Sequence, residues 1–294
     1  MENIQDRTEF IKNLKDISGD KHILTSEWSK ERYSKGWRYG EGEALAVAKP
    51  GTLLEIWKIL QICVNLDIIV IMQAANTGLT GGSTPYGNDY DRPILIINTM
   101  RISDIHIIDE GKQIVGFSGS TLFELENKLA SYGREPHSVI GSSCIGASIV
   151  GGICNNSGGA LIKRGPAYTE LSLYAQITKD GELILVNDLG IELGSSPEDI
   201  LTNLQNKNYN LDDIHFPDKL ASDNVYQERL RDINADTPAR FNADKRRLNG
   251  ASGCAGKVAV FAVRLDTYPT PKRNQVFYIG TNSSYVLGKI RRDI

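Results

Sequence analysis

Residues 68–85 read IIVIMQAANTGLTGGSTP. Ile68 to Met72 form an apolar run of strand length, which delivers the chain into the polar, turn-rich segment Gln73 to Pro85. A loop leaving the carboxyl end of a buried strand lies where sheets of this kind commonly bind ligands. Gly78, Gly81 and Gly82 free the backbone to approach a ligand, so that successive N–H groups can converge on an anion. Asn76, Thr77 and Ser83 add side-chain donors. The segment therefore reads as a phosphate cradle, although the same composition also suits an ordinary surface loop.

A second segment, Val139 to Gly159, reads VIGSSCIGASIVGGICNNSGG, and six of its 21 residues are glycine. Ser142, Ser143, Ser148, Asn155, Asn156 and Ser157 supply small polar groups of little bulk. Two such loops in one chain point to a long ligand containing a diphosphate. Neither ends in the Lys-Ser/Thr of a P-loop, and G-x-G-x-x-G does not occur, so the usual ATP and Rossmann signatures are both missing.

Outward from these loops, the pattern alternates strands and helices. Phe10, Ile11, Leu14 and Ile17 fall on one helical face ahead of Gly19. Residues 20–43 carry Trp28, Tyr33, Trp37 and Tyr39, a set that covers a domain edge or lines a cofactor site. Ala44 to Ala48 reads as a strand; Thr52 and Glu55 then form a capping-box pattern before Leu53, Ile56, Trp57, Leu60, Cys63 and Val64. Strands follow at Ile94 to Ile97, Ile105 to Ile108 and Gln113 to Phe117. Thr121 and Glu124 repeat the cap, and Gly133 closes that helix. Leu171 to Thr178 and Glu182 to Val186 read as a hairpin, Ser196-Pro197 opens another helix, and Val258 to Val263 is a strand. Between about Gln205 and Asn249 the chain turns polar, which predicts a surface excursion with little core.

With 294 residues, 40% of them hydrophobic, the chain can bury a sizeable core. A net charge of −3 argues against a general nucleic-acid binder. Cys63, Cys144, Cys154 and Cys254 show none of the short spacings of zinc or dithiol motifs, so they read as reduced thiols, and no metal site is expected. No stretch approaches the roughly 18 apolar residues of a membrane span, which leaves peripheral association as the only membrane contact expected.

QAANTGLTGGSTP at 73–85, GREPHSVIGSSCIGASIVGGICNNSGG at 133–159 and RGPAYTELSLYAQI at 164–177 resemble the FAD-binding segments of a known family. This is the flavoprotein family of vanillyl-alcohol oxidase and p-cresol methylhydroxylase, and within it the quinone-dependent respiratory D-lactate dehydrogenases. The resemblance implies an α+β chain with the two-subdomain FAD-binding fold of the p-cresol methylhydroxylase type. That domain would span residues 1–268, with its core at about 40–211 and the polar excursion at about 205–249. Residues 269–294 would be the truncated start of a cap or membrane-binding domain.

Carried over by position, the resemblance puts Ala74, Ala75, Asn76, Thr77 and Gly78 in the first cradle, followed by Gly82 and Ser83. Gly141, Ser148 and Gly158 fall on the second segment, and Val260 lies beside the cofactor. Gly81 departs from the family, where a bulkier polar residue can stand. The implied activity is FAD-dependent oxidation of D-lactate to pyruvate, with electrons passed to a membrane quinone. An FAD-binding fragment without turnover, or a related flavin-dependent 2-hydroxy acid oxidoreductase, fits the same motifs. Substrate- and proton-handling residues are expected in the cap domain beyond residue 270, so no catalytic residue is assigned. Peripheral attachment to the cytoplasmic face of the inner membrane is expected through that downstream domain, and a soluble cytoplasmic protein if the chain is the whole product.

His137 is expected to be structural or close to the diphosphate rather than covalently joined to flavin. Arg164 reads equally as a phosphate partner, a loop pin or an exposed side chain. Lys289, Arg291 and Arg292 read as a solvated face rather than a lipid contact.

Overall fold

The computed structural model describes residues 4–137, 145–158, 164–216, 218–239 and 244–294. Its frame is two sheets that share one core. In the first, β1 (Ile23–Leu24), β2 (Ala46–Ala48), β4 (Ile94–Asn98) and β3 (Ile69–Gln73) lie in that order. β2, β4 and β3 run parallel, and β1 pairs antiparallel at the edge. Apolar residues occupy both faces of β4: Leu95 and Ile97 turn to the shared core, Ile94 and Ile96 to the opposite face beside Tyr33. That double burial is why the strand reads as an unbroken apolar run.

The second sheet is antiparallel, ordered β5 (Ile105–Ile108), β6 (Gln113–Phe117), β10 (Ala259–Asp266), β8 (Ser172–Ile177) and β9 (Leu183–Asn187). β10 shifts register between Val260 and Ala262. The bulge lets consecutive Phe261 and Ala262 both face the shared core, while Val260 and Val263 face the other side.

Helices α1 (Ile4–Ser18), α3 (Leu53–Asn65) and α6 (Pro197–Gln205) pack on the shared core through Phe10, Leu14, Ile56, Ile59, Leu201 and Leu204. α2 (Glu27–Ser34) puts Tyr33 against the outer face of the first sheet. Thr52 caps α3 by accepting from Glu55 N–H at 3.1 Å, but the Glu55 carboxylate reaches Gly51 N–H at 2.8 Å, one residue before the cap. The box at α4 (Leu122–Ala130) is complete, with Thr121 and Glu124 exchanging both bonds.

Two features differ from the sequence expectation. The segment Val139 to Gly159, read as a loop, contains the short helix α5 (Ile149–Cys154). Ser148 caps it, and Ile149, Val150 and Ile153 bury one face against the second sheet, which offsets the cost of Gly151 and Gly152. A two-residue pair, β7 (Arg134–Glu135) with β11 (Tyr268–Pro269), was also absent from the sequence reading.

The polar excursion does bury few apolar groups, yet it has an ionic centre. Asp223 is buried and pairs with Arg247 at 2.7 Å and with Arg229, while Asp244 pairs with Arg246 at 2.7 Å and Arg229 at 3.4 Å. α7 (Tyr226–Arg231) carries Arg229, and α8 (Ser284–Asp293) docks on it through Arg291 Nε, 2.6 Å from Leu230 O. Arg291 is thus committed to α7, and Arg292 pairs with Asp293 at 2.8 Å, so the basic group is only partly a solvated face.

Candidate functional site

The first glycine segment begins where β3 ends, and one buried amide ties its two ends together. Gln73 Nε2 donates to Tyr33 O at 2.8 Å and to Ser83 O at 2.7 Å, while its Oε1 accepts from Asn98 Nδ2 at 3.0 Å. Asn76 Nδ2 donates to Lys35 O at 2.7 Å, and its Oδ1 accepts the Ser83 hydroxyl at 2.8 Å. The Ser83 hydroxyl is therefore spent within the loop, and the Asn76 amide ties the loop to the end of α2. What remains for a ligand is backbone: among the described residues, the N–H groups from Thr77 to Ser83 have no protein acceptor. A Cβ added at Gly78 would meet nothing within 4 Å. A run of N–H groups without protein acceptors, in a loop exposed at Gly78 to Thr80 and at Gly82, fits a ligand that brings several anionic oxygens.

From this loop, hydrogen bonds lead to the second sheet. Asn98 Nδ2 donates to Ala74 O at 3.0 Å, and the Thr99 hydroxyl lies 3.3 Å from Gln73 O and 3.1 Å from Ser118 O. A Cβ at Gly119 would sit 2.1 Å from Thr99 O, so only glycine lets the two strand ends approach this closely. Ser118 N–H donates to Phe261 O at 2.9 Å, next to Val260, and Ile149 N–H donates to Ser120 O at 2.9 Å. The Ser118 hydroxyl oxygen is buried with no partner among the described residues. A buried hydroxyl without a partner costs free energy unless a ligand or water meets it.

Hydrogen bonds thus link Ala74, Asn98, Thr99, Ser118 and Ser120 from the carboxyl ends of β3, β4 and β6 to the start of α5, which Ser148 caps. Ser148 Oγ accepts from Gly151 N–H at 3.1 Å. Val260 is buried in the core beneath α5. Gly158 stands apart at the far end of that helix, half-buried, next to Ser157, whose O accepts Ala167 N–H at 2.6 Å. Gly141 lies outside the described residues. Sequence reading missed Asn98, Thr99, Ser118, Gly119 and Ser120, although small polar residues directly after the apolar strands at 94–97 and 113–117 were the available signal.

His137 is buried, its Nδ1 has no partner among the described residues, and burial, followed by the charge of Arg164, lowers its pKa to about 4. It is neutral at pH 7. Arg164 donates to Pro136 O at 2.7 Å, pairs with Glu135 and lies 4.6 Å over the Tyr268 ring. Of the three readings, Arg164 is a pin for this segment. His106 Nδ1 is 2.7 Å from the Tyr209 hydroxyl, a packing role. Among the described residues no cluster of three or more His, Cys, Asp or Glu can hold a metal, and no helix is long and apolar enough to cross a membrane.

The family model described as FAD binding domain matches residues 44–187. Over 284 residues the chain is 60% identical to the quinone-dependent D-lactate dehydrogenase of Haemophilus influenzae, covering 97% of this chain and 50% of that protein. It is 57% identical over 289 residues to the enzyme of the same name from Escherichia coli, covering 98% and 51%. The chain therefore spans about half the length of the curated relatives it matches. A crystal structure of p-cresol methylhydroxylase with substrate bound superposes with a TM-score of 0.58 at 13% identity, covering 92% of this chain and 45% of that one. That likeness speaks to fold alone. It agrees with the α+β, two-sheet architecture, and the family match agrees with FAD as the cofactor.

Proposed function

We propose that this chain, which carries an FAD binding domain over residues 44–187, is the flavin-holding portion of a quinone-dependent D-lactate dehydrogenase. The observation that carries the reading is the run of uncommitted N–H groups from Thr77 to Ser83 at the carboxyl end of β3, in a chain 60% identical to such an enzyme. Ala74, Ala75, Asn76, Thr77, Gly78, Gly82 and Ser83 hold one side of the cofactor through backbone, and Gly141, Ser148 and Gly158 hold the other. Val260 walls the site.

Bound there, FAD supplies the hydride acceptor for oxidation of D-lactate to pyruvate, whose electrons then pass to a membrane quinone. The chain's own residues orient the diphosphate, keep the strand ends together at Gly119 and exclude water beneath α5. Residues 1–268 serve as the cofactor domain and 269–294 lead into the part that meets substrate and the membrane surface. Attachment to the membrane is peripheral, at its cytoplasmic face.

Purified protein incubated with FAD should retain an oxidised-flavin spectrum after gel filtration. Bleaching by anaerobic D-lactate, faster than by L-lactate or glycolate, would show that the chain also turns substrate over. Flavin that binds but resists bleaching would mark a cofactor-holding unit without turnover, and a folded, colourless protein that refuses FAD would remove the proposal altogether.

A further inference from the structure

Cys154 and Cys254 are separated by most of a domain in sequence, but the fold brings them together. The turn at 251–257 wraps the last turn of α5: Gly253 N–H donates to Ile153 O at 3.0 Å, and Ala255 N–H donates to Cys154 O at 3.2 Å. Cys254 is therefore bracketed by two bonds to the residues that precede and include Cys154. Both thiols are free, and both side chains belong to the same apolar cluster under α5.

Their surroundings are unequal. The backbone amides of Gly256, Val258 and Cys254 itself favour the Cys254 thiolate. The hydrogen bond from Cys154, opposed by burial and helped by those amides, draws the Cys254 thiol down to about 7. The same hydrogen bond, with burial, holds Cys154 protonated well above its usual range. Cys63 shows the contrast, since burial alone pushes it up to about 12.

We infer that Cys154 and Cys254 form a reversible dithiol–disulfide couple, a modification site that closes on exposure to hydrogen peroxide. In the first step the Cys254 thiolate attacks one peroxide oxygen. The O–O bond breaks, hydroxide leaves, and Cys254 becomes a sulfenic acid. In the second step the Cys154 sulfur attacks the Cys254 sulfur, the S–O bond breaks, and the thiol proton leaves with the hydroxyl as water. Two thiols have then lost two electrons and one peroxide has become two waters. A low-molecular-weight dithiol reverses the bond by exchange. The link joins the end of α5 to the lead-in of β10, the two elements that carry Ser148 and Val260.

The test uses the native chain. It is treated with hydrogen peroxide, alkylated, digested without reductant and read by mass spectrometry. The expected result is one peptide pair joining Cys154 to Cys254 that dithiothreitol removes, with Cys63 still alkylated. Recovery of both cysteines as alkylated thiols, or as sulfonic acids with no linked species, overturns the inference. In Cys154→Ser, dimedone should trap Cys254 as its sulfenic acid; no adduct there overturns the assignment of Cys254 as nucleophile. Iodoacetamide at pH 7 should label Cys254 about tenfold or more faster than Cys63, following thiolate content, and equal rates would count against it in the native chain without any substitution.

Discussion

Thr99 shows how one hydroxyl can join two sheets. Its Oγ lies 3.3 Å from Gln73 O and 3.1 Å from Ser118 O, and the side chain is buried. Thr99→Val keeps the shape and removes the donor, so unfolding free energy should fall by about 1–2 kcal/mol; urea titration with an unchanged slope would check this. His106 gives a pH signature. Burial, then the charge of Lys207, lowers its pKa from 6.5 to about 4. The unfolded chain therefore binds the proton first, so this contribution is full above about pH 6.5 and is lost as the pH falls toward 4. His106→Phe should flatten the acid limb of stability between those values, and an unchanged limb would show that His106 charges freely in the fold. Neither residue was visible from the sequence as a joint, because the significance of Thr99 depends on Gly119, which lets Ser118 come close.

At the scale of elements, legibility followed local signals. α3, α4 and α6 announce themselves with Thr52, Thr121 and Ser196, each followed three residues later by a carboxylate, and each side chain does accept the expected N–H. Thr121→Ala should lower stability by about 1 kcal/mol, read as a shifted thermal midpoint, whereas Thr121→Ser should retain most of it. α5 escaped notice because glycines at 151 and 152 mask a helix whose stability comes from packing rather than propensity. β7 and β11 escaped because two residues make a strand only when a distant partner supplies the ladder. The candidate site divides in the same way. Its loops were legible from glycine and small polar residues, and the groups that hold the loops in place were not.

Across the whole molecule, the polar stretch at 205–249 looked peripheral by composition but is anchored by charge. Burial alone would raise the Asp223 carboxyl, yet the hydrogen bonds and charges of Arg247 and Arg229 outweigh it and hold it below its ordinary 3.8. The stabilisation is therefore full above about pH 4 and lost as the pH falls through the lower folded value. Asp223→Asn should cost about 3 kcal/mol, because it leaves the largely buried Arg247 guanidinium without its carboxylate partner. Arg246→Ala, half-exposed, should cost under about 1 kcal/mol; chemical denaturation of the two variants side by side separates these cases. The order β5-β6-β10-β8-β9 was likewise beyond reach of local reading, since β10 arrives last and inserts in the middle. That late insertion has a bearing on biosynthesis. Until Asp266 has left the ribosome, the nascent polypeptide carries two open strand borders, β6 and β8, each awaiting the same missing neighbour. Products released short of Ala259 should accordingly need chaperone shelter or precipitate, whereas those extending past Asp266 should stay in solution.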